Sequence, residues 1–287
     1  MKKVLKGGTV VSGEGCKKAD VLIEDGKIGA VAPEITDEEA EVVDVSGKLL
    51  FPGFIDAHTH FDLHVSGTVT ADNFETGTKA ALSGGTTMII DFATQYKGES
   101  LHKALENWHE KADGNASCDY GFHLAIADWN PDISEELRQI VDEGVTSFKI
   151  YMTYDDMVLD DKSIYQVLKR LKEVGGIAGV HCENKGIIEA LTEEEKAKGH
   201  LTTDAHPKTR PAVVEAEAIS RLLKIADLVH TPVIIVHLSS GAGYQEVKYA
   251  RERGQEVILE TCPQYLILNE SVYSLPDFEG SKYVIAP

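Results

Sequence analysis

From Gly53 onward the chain repeats one unit seven times: an apolar or β-branched run, a loop, and in most repeats a helical stretch. The runs are Gly53 to His60, Thr86 to Ala93, Tyr120 to Ala127, Val145 to Met152, Ile177 to Cys182, Pro232 to Leu238 and Glu256 to Thr261. Near-continuous apolar strands alternating with helices predict a parallel sheet buried on both faces, because every crossover lays a helix over the sheet. The apolar stretch Leu49 to Ile55 reads as a buried lead into the first strand. No Gly-x-Gly-x-x-Gly follows any run, so a dinucleotide-binding doubly wound sheet loses its main support. The strand count favours an α/β fold of the (β/α)8 TIM-barrel type. Seven strands leave such a barrel open, and closure is what removes unpaired edges. The expectation is therefore the N-terminal part of a longer polypeptide, lacking its last strand.

Between the strands, helices are expected over 72–83, 99–112, 133–143, 162–174, 185–198, 212–229 and 243–253, with Pro131-Asp132 as the cap of the third and residues 200–211 as a polar loop. Residues 1–52 read differently. Val4-Leu5, Thr9 to Val11, Ala19 to Ile23, Lys27 to Val31 and Glu41 to Val45 are short β-prone pieces separated by Gly-rich turns, with Asp25-Gly26 a hairpin signal. This segment is too poor in apolar residues to stand alone. It predicts a small β-domain, part of a β-sandwich, leaning on a barrel domain over 53–287.

Asp and Glu outnumber Lys and Arg by 47 to 28, a formal charge of −19. That balance argues against nucleic acid and anionic membranes, which demand basic patches. There is no signal-peptide pattern and no apolar run of about 18 residues. Cys16, Cys118, Cys182 and Cys262 are widely spaced without a Cys-x-x-Cys pair, which suits free thiols in a reducing cytoplasm. Cys182 reads as a buried apolar thiol.

Barrel enzymes place their chemistry at the C-terminal ends of the strands. There the sequence puts His58 and His60, two apart and so on one face of a strand, together with Lys149, His181 and His237. Four imidazoles and one embedded lysine converging on one face point to a divalent metal centre. A buried ammonium is costly and its pKa falls. The neutral amine can add carbon dioxide to give a carbamate, an anionic oxygen donor able to bridge two ions. Two zinc-like ions would then share a hydroxide of lowered pKa.

The sequence resembles the amidohydrolase superfamily, and within it the cyclic amidases that include dihydropyrimidinases and hydantoinases. The similarity runs through essentially the whole chain. It is carried by Pro52-Gly53-Phe54-Ile55-Asp56-Ala57-His58-Thr59-His60, Gly84-Gly85-Thr86-Thr87, Phe148-Lys149, Val180-His181-Cys182-Glu183-Asn184, Val236-His237 and Glu260-Thr261-Cys262-Pro263-Gln264-Tyr265. The resemblance implies that His58 and His60 hold the more buried ion, that His181 and His237 hold the other, and that Lys149, as N6-carboxylysine, bridges them. It gives Tyr154 the role of hydrogen-bonding the substrate carbonyl and stabilising the oxyanion. It makes Leu63, His64 and Val65 the loop shaping the substrate pocket, with Leu63 in contact with substrate and His64 a pocket wall or surface residue. The ions implied are zinc, with manganese or cobalt as alternatives.

The reaction implied is the opening of a dihydropyrimidine or a 5-substituted hydantoin to an N-carbamoyl amino acid. The partners implied are a small-molecule cyclic amide and further copies in a homotetramer. Asp62 stands where dihydroorotases carry a carboxylate-binding arginine, and Tyr154 speaks against allantoinase; those two activities are the alternatives within the family. A non-catalytic structural homologue or an inactive fragment is the alternative outside it. The family's proton-shuttling aspartate lies beyond Pro287, and Ala286 occupies the place of a substrate-proximal serine.

Overall fold

A computed structural model describes residues 1–65 and 67–287. The N-terminal segment forms seven short strands, β1 (Lys2–Lys6), β2 (Thr9–Ser12), β3 (Gly15–Lys18), β4 (Asp20–Glu24), β5 (Lys27–Ala32), β6 (Glu41–Asp44) and β7 (Leu49–Leu50). They assemble into a sheet of order β5-β4-β1-β6 and a second of order β3-β2-β7. Asp25 and Gly26 take φ of 50° and 78°, the two positive values a two-residue type I′ hairpin needs, and join β4 to antiparallel β5 as that dipeptide predicts. Two of these strands escape the periodicity. The four residues of β3 are all exposed, so they carry no apolar signal. Leu49 and Leu50 pair with β2 rather than leading into the barrel.

The second part carries the parallel sheet β8 (Phe54–Thr59), β11 (Thr86–Thr94), β12 (Asp119–Ala125), β13 (Ser147–Tyr151), β14 (Ile177–His181), β15 (Val233–Ile235) and β16 (Val257–Leu259), in the order β16-β15-β14-β13-β12-β11-β8. Between β8 and β11 lie a small ribbon, β9 (His64–Val65) and β10 (Thr68–Val69), and helix α1 (Phe74–Ser83). The remaining helices are α2 (Leu101–Ala112), α3 (Pro131–Asp142), α4 (Asp161–Val174), α5 (Lys185–Ala197), α6 (His206–Thr209), α7 (Ala212–Val229) and α8 (Gly241–Glu252). The stretch 200–211 is thus not all loop, since a 3-10 turn at Thr203–Ala205 runs into α6. Helix α3 starts two residues before the expected position. Asn130, not Pro131-Asp132, caps it by accepting from the N–H groups of Asp132 and Ile133, and Pro131 sits at the first helical position, where a missing N–H costs nothing.

The sheet is curled. Laid flat, its seven strands would hold the edge strands β8 and β16 about 29 Å apart at the usual spacing. Instead His58 Nδ1, near the end of β8, lies 2.7 Å from an oxygen of Glu260, just past β16. The main core lies between this curved sheet and helices α3, α4 and α7, with Phe148, Ile150 and Val180 facing Leu137, Leu168 and Leu222. A second cluster around Phe74, Ile89 and Trp108 fills the space behind β8 and β11.

One expectation fails in this sheet. The apolar run before His58 is not buried: Phe54 is 53 % and Ile55 60 % exposed. Strand β8 is an edge strand paired only with β11 among the described residues. Hydropathy reports what a strand would bury, and not whether a neighbour stands beside it.

Candidate active site

The curl gathers the C-terminal strand ends, and with them the five expected ligands. His58 and His60 lie at the end of β8 with ring centroids 5.3 Å apart. Lys149, in the middle of β13, is fully buried, and its Nζ is 3.5 Å from His58 Nε2 and 3.4 Å from His237 Nε2. His181 ends β14, and His237 follows two residues after β15. Their rings are 4.6 Å apart, and His237 is 5.3 Å from His58. His237 takes a φ of 39°, an uncommon conformation for a residue with a side chain. The Phe92 ring packs 4.6 Å from His58 and 4.8 Å from His60.

Burial governs the charges. It pulls the Lys149 amine down to about 7 and His181 to about 4. Burial, then the neighbouring lysine, holds His60 and His237 well below the usual imidazole range. Burial lowers His58 as well, against the pull of Glu260, so all four imidazoles favour the neutral form, the one that donates a lone pair to a metal. Among the described residues three buried side-chain polar atoms have no partner, and two of them are His60 Nδ1 and His237 Nδ1. Also among the described residues, no set of three or more His, Cys, Asp or Glu side chains is disposed to hold a metal ion by itself. The cluster is centred instead on Lys149, whose nearest nitrogens at 3.4 and 3.5 Å are too long for good hydrogen bonds. Neutral imidazoles with unspent nitrogens fit a metal centre, and an amine of lowered pKa opposes a cation less than an ordinary lysine would.

Three carboxylates support this cluster that sequence reasoning did not single out. Glu260 Oε2 contacts His58 Nδ1 at 2.7 Å and accepts the His237 backbone N–H at 3.1 Å. Glu183 Oε2 contacts His181 Nε2 at 2.6 Å and accepts from Arg210 Nη1 at 2.5 Å. Burial works against both carboxylates, yet the imidazoles and charges beside them keep both ionised more readily than usual. Asp91 interrupts the apolar strand β11 at an irregularity in its pairing with β8, opposite Thr59. It accepts from Thr59 Oγ1, the Phe61 and Phe92 N–H groups and Trp108 Nε1, at 2.8 to 2.9 Å. Burial pushes it up to about 6, so at neutral pH the four donors face a carboxylate. The available signal was the one acid inside Met88-Ile89-Ile90-Asp91-Phe92-Ala93.

Asp91 thereby fixes the backbone on both sides of His60. An Asp91→Asn substitution would turn an NH2 toward either Thr59 and Phe61 or Trp108 and Phe92. The Thr59 hydroxyl can reverse its role, but at least one N–H loses its acceptor. We expect this variant to be less stable than the wild type by about 1–3 kcal/mol, the cost of a buried donor left unmade. Chemical denaturation measures this, and an unchanged midpoint would refute the role.

Tyr154 lies in the loop after β13 with a φ of 68°. Its ring is 5.0 Å from His181, and the Arg210 guanidinium carbon is 5.7 Å from its centroid. Burial raises its hydroxyl to about 12, so it remains a proton donor at neutral pH. Leu63 is only 5 % exposed and belongs to the second core cluster, against which Tyr154 packs. His64 is exposed on the β9–β10 ribbon. Ala286 follows Ile285, whose carbonyl accepts from His206 Nε2 at 2.8 Å. An open cavity of about 680 Å³ adjoins these last residues, lined in part by Arg210, Ser239, Tyr265 and Ile285.

Comparison with known proteins gives a consistent picture. The family described as "Amidohydrolase family" matches residues 49–273. The chain is 45 % identical to a D-hydantoinase of Geobacillus stearothermophilus, over all of this chain and 61 % of that protein. It is 43 % identical to a dihydropyrimidinase of Dictyostelium discoideum, over 87 % of this chain and 50 % of the relative. The crystal structure of dihydropyrimidinase from Brevibacillus agri superimposes with a TM-score of 0.97 at 45 % identity, covering all of this chain and 63 % of that one. The chain spans about three fifths of the length of the D-hydantoinases it matches.

Proposed function

The chain belongs to the amidohydrolase family, and we propose that it hydrolyses the ring amide of a dihydropyrimidine or a 5-substituted hydantoin to an N-carbamoyl amino acid. The observation that carries this reading is the convergence of His58, His60, His181 and His237 on the buried Lys149. The names of the relatives, D-hydantoinase and dihydropyrimidinase, supply the substrate class. His58 and His60 would hold one divalent ion, His181 and His237 a second, and Lys149 would lie between them. Zinc, or alternatively manganese or cobalt, would supply there a Lewis acid for the ring carbonyl and a hydroxide nucleophile at neutral pH.

The chain's own residues do the rest. Above a pH of about 7 the Lys149 amine is neutral and nucleophilic. Its Nζ would form a bond to the carbon of carbon dioxide and release a proton, and the carbamate would present anionic oxygens among the four imidazoles. The Tyr154 hydroxyl donates to the carbonyl oxygen as negative charge builds on it. Leu63 would contribute an apolar wall to the pocket, and Asp62 stands where dihydroorotases carry a carboxylate-binding arginine, which speaks against an acidic substrate at that position. Free Cys16, Cys118, Cys182 and Cys262 suit a reducing cytoplasm. Resemblance supports a homotetramer.

Steady-state assays with hydantoin, 5-substituted hydantoins, dihydrouracil, allantoin and dihydroorotate, using zinc-, manganese- and cobalt-loaded protein, test the proposal. Turnover of hydantoins or dihydrouracil is expected, with dihydroorotate untouched. Turnover confined to allantoin or dihydroorotate, or none at all, overturns it.

A further inference from the structure

The four imidazoles around Lys149 are not held alike. His58 has its Nδ1 2.7 Å from Glu260 Oε2. A carboxylate there keeps the ring proton on Nδ1 and leaves the lone pair on Nε2, the atom 3.5 Å from Lys149 Nζ. His181 is held the other way round, with its Nε2 2.6 Å from Glu183 Oε2, so its free lone pair is on Nδ1. Among the described residues His60 and His237 have no such partner, and their Nδ1 atoms are buried and unpaired. In the pairing proposed above, each ion would therefore be bound by one carboxylate-held ring and one free ring.

Neither carboxylate is a diffuse surface charge. Glu260 Oε2 also accepts the backbone N–H of His237, which ties the end of β8 to the segment after β15. Glu183 lies almost wholly buried and shares its oxygen with Arg210 Nη1. A carboxylate on the far nitrogen of a ligating imidazole fixes its tautomer and ring orientation and raises its basicity.

We infer that Glu260 and Glu183 are positioning residues: Glu183 acts on the metal position of His181, and Glu260 acts chiefly on that of His58 and more weakly, through the His237 backbone, on the other. This rests on the ligand assignment proposed above. Glu260→Gln and Glu183→Gln keep an acceptor oxygen and the side-chain volume but remove the charge, so they probe this role with little disturbance of the fold. The measurement is zinc binding by competition with a chromophoric chelator, on wild type, both Gln variants, the double variant, His58→Ala and His181→Ala. Melting of the zinc-free proteins is recorded alongside.

Each Gln variant is expected to weaken one zinc equivalent by about 10- to 100-fold and the other by clearly less, and the double variant to weaken both strongly. His58→Ala and His181→Ala are expected to lose one equivalent each outright. If the His variants lose zinc but the Gln variants bind both ions as wild type, the positioning role is wrong and the metal centre stands. If each Gln variant weakens both ions equally, the assignment of each carboxylate to one metal position is wrong. If the His variants keep both ions, the metal reading itself fails. Should a Gln variant not fold, Glu260→Asp or Glu183→Asp, with the charge withdrawn by one methylene, is expected to show the same selective loss.

Discussion

Methionine in place of Lys149 is expected to abolish zinc retention and lower kcat/KM on a hydantoin by about 10³-fold or more, while making the metal-free protein more stable. The loss of activity is at least that of removing a principal electrostatic group from an active site. The gain in stability has a separate cause. The amine is fully buried, and among the described residues the polar atoms nearest it are two ring nitrogens at 3.4 and 3.5 Å. Leaving such a polar group unpaired costs about 1–3 kcal/mol, which an apolar side chain of similar length recovers. Metal analysis, kinetics and denaturation on one preparation test all three expectations, and a methionine variant that keeps its zinc would remove Lys149 from the site.

The same residue sets a pH dependence. Its pKa in the folded protein, about 7, lies below the ordinary 10.5. Between those values the unfolded chain holds a proton that the folded one has released, so metal-free stability rises with pH across that window. Zinc loading in bicarbonate should likewise increase as pH climbs through about 7. Both slopes disappear in Lys149→Met.

Phenylalanine at position 154 is expected to lower kcat by about 10²- to 10³-fold, the usual cost of deleting one oxyanion donor. KM and zinc content should change little, because in the proposed role the hydroxyl would act on charge that appears only in the transition state. The backbone at Tyr154, with its φ of 68°, places the same demand on either residue, and the ring contact with His181 at 5.0 Å is retained. An equal fall in kcat/KM produced wholly through KM would assign the hydroxyl to ground-state binding instead.

Much of this site was readable in one dimension because its histidines stand out. An imidazole at the end of an apolar strand is rare enough to notice, and a lysine inside Ser147-Phe148-Lys149-Ile150-Tyr151 is rarer still. The carboxylates were hidden for the opposite reason. Glu183 and Glu260 follow strands just as many solvated acids do, and only the fold shows that each lies against an imidazole. The ribbon β9–β10 has two residues per strand, fewer than any period can reveal. The exposure of Phe54 and Ile55 depends on which strand neighbours which, a property that no local window contains.

The contact between His58 and Glu260 joins residues 202 positions apart. At typical synthesis speeds of about 5–20 residues per second, His58 is added to the chain roughly 10–40 s before its partner. Contacts this distant along the chain are also slow to form, because loop closure must precede any reward. On the ligand assignment proposed above, the histidine pair would spend the nascent chain's early life as an open bidentate chelate without Glu260 to orient it. The order of events would then matter for which metal is captured: an ion binding the pair before Glu260 arrives would be chosen by availability, and one binding afterwards by the finished geometry.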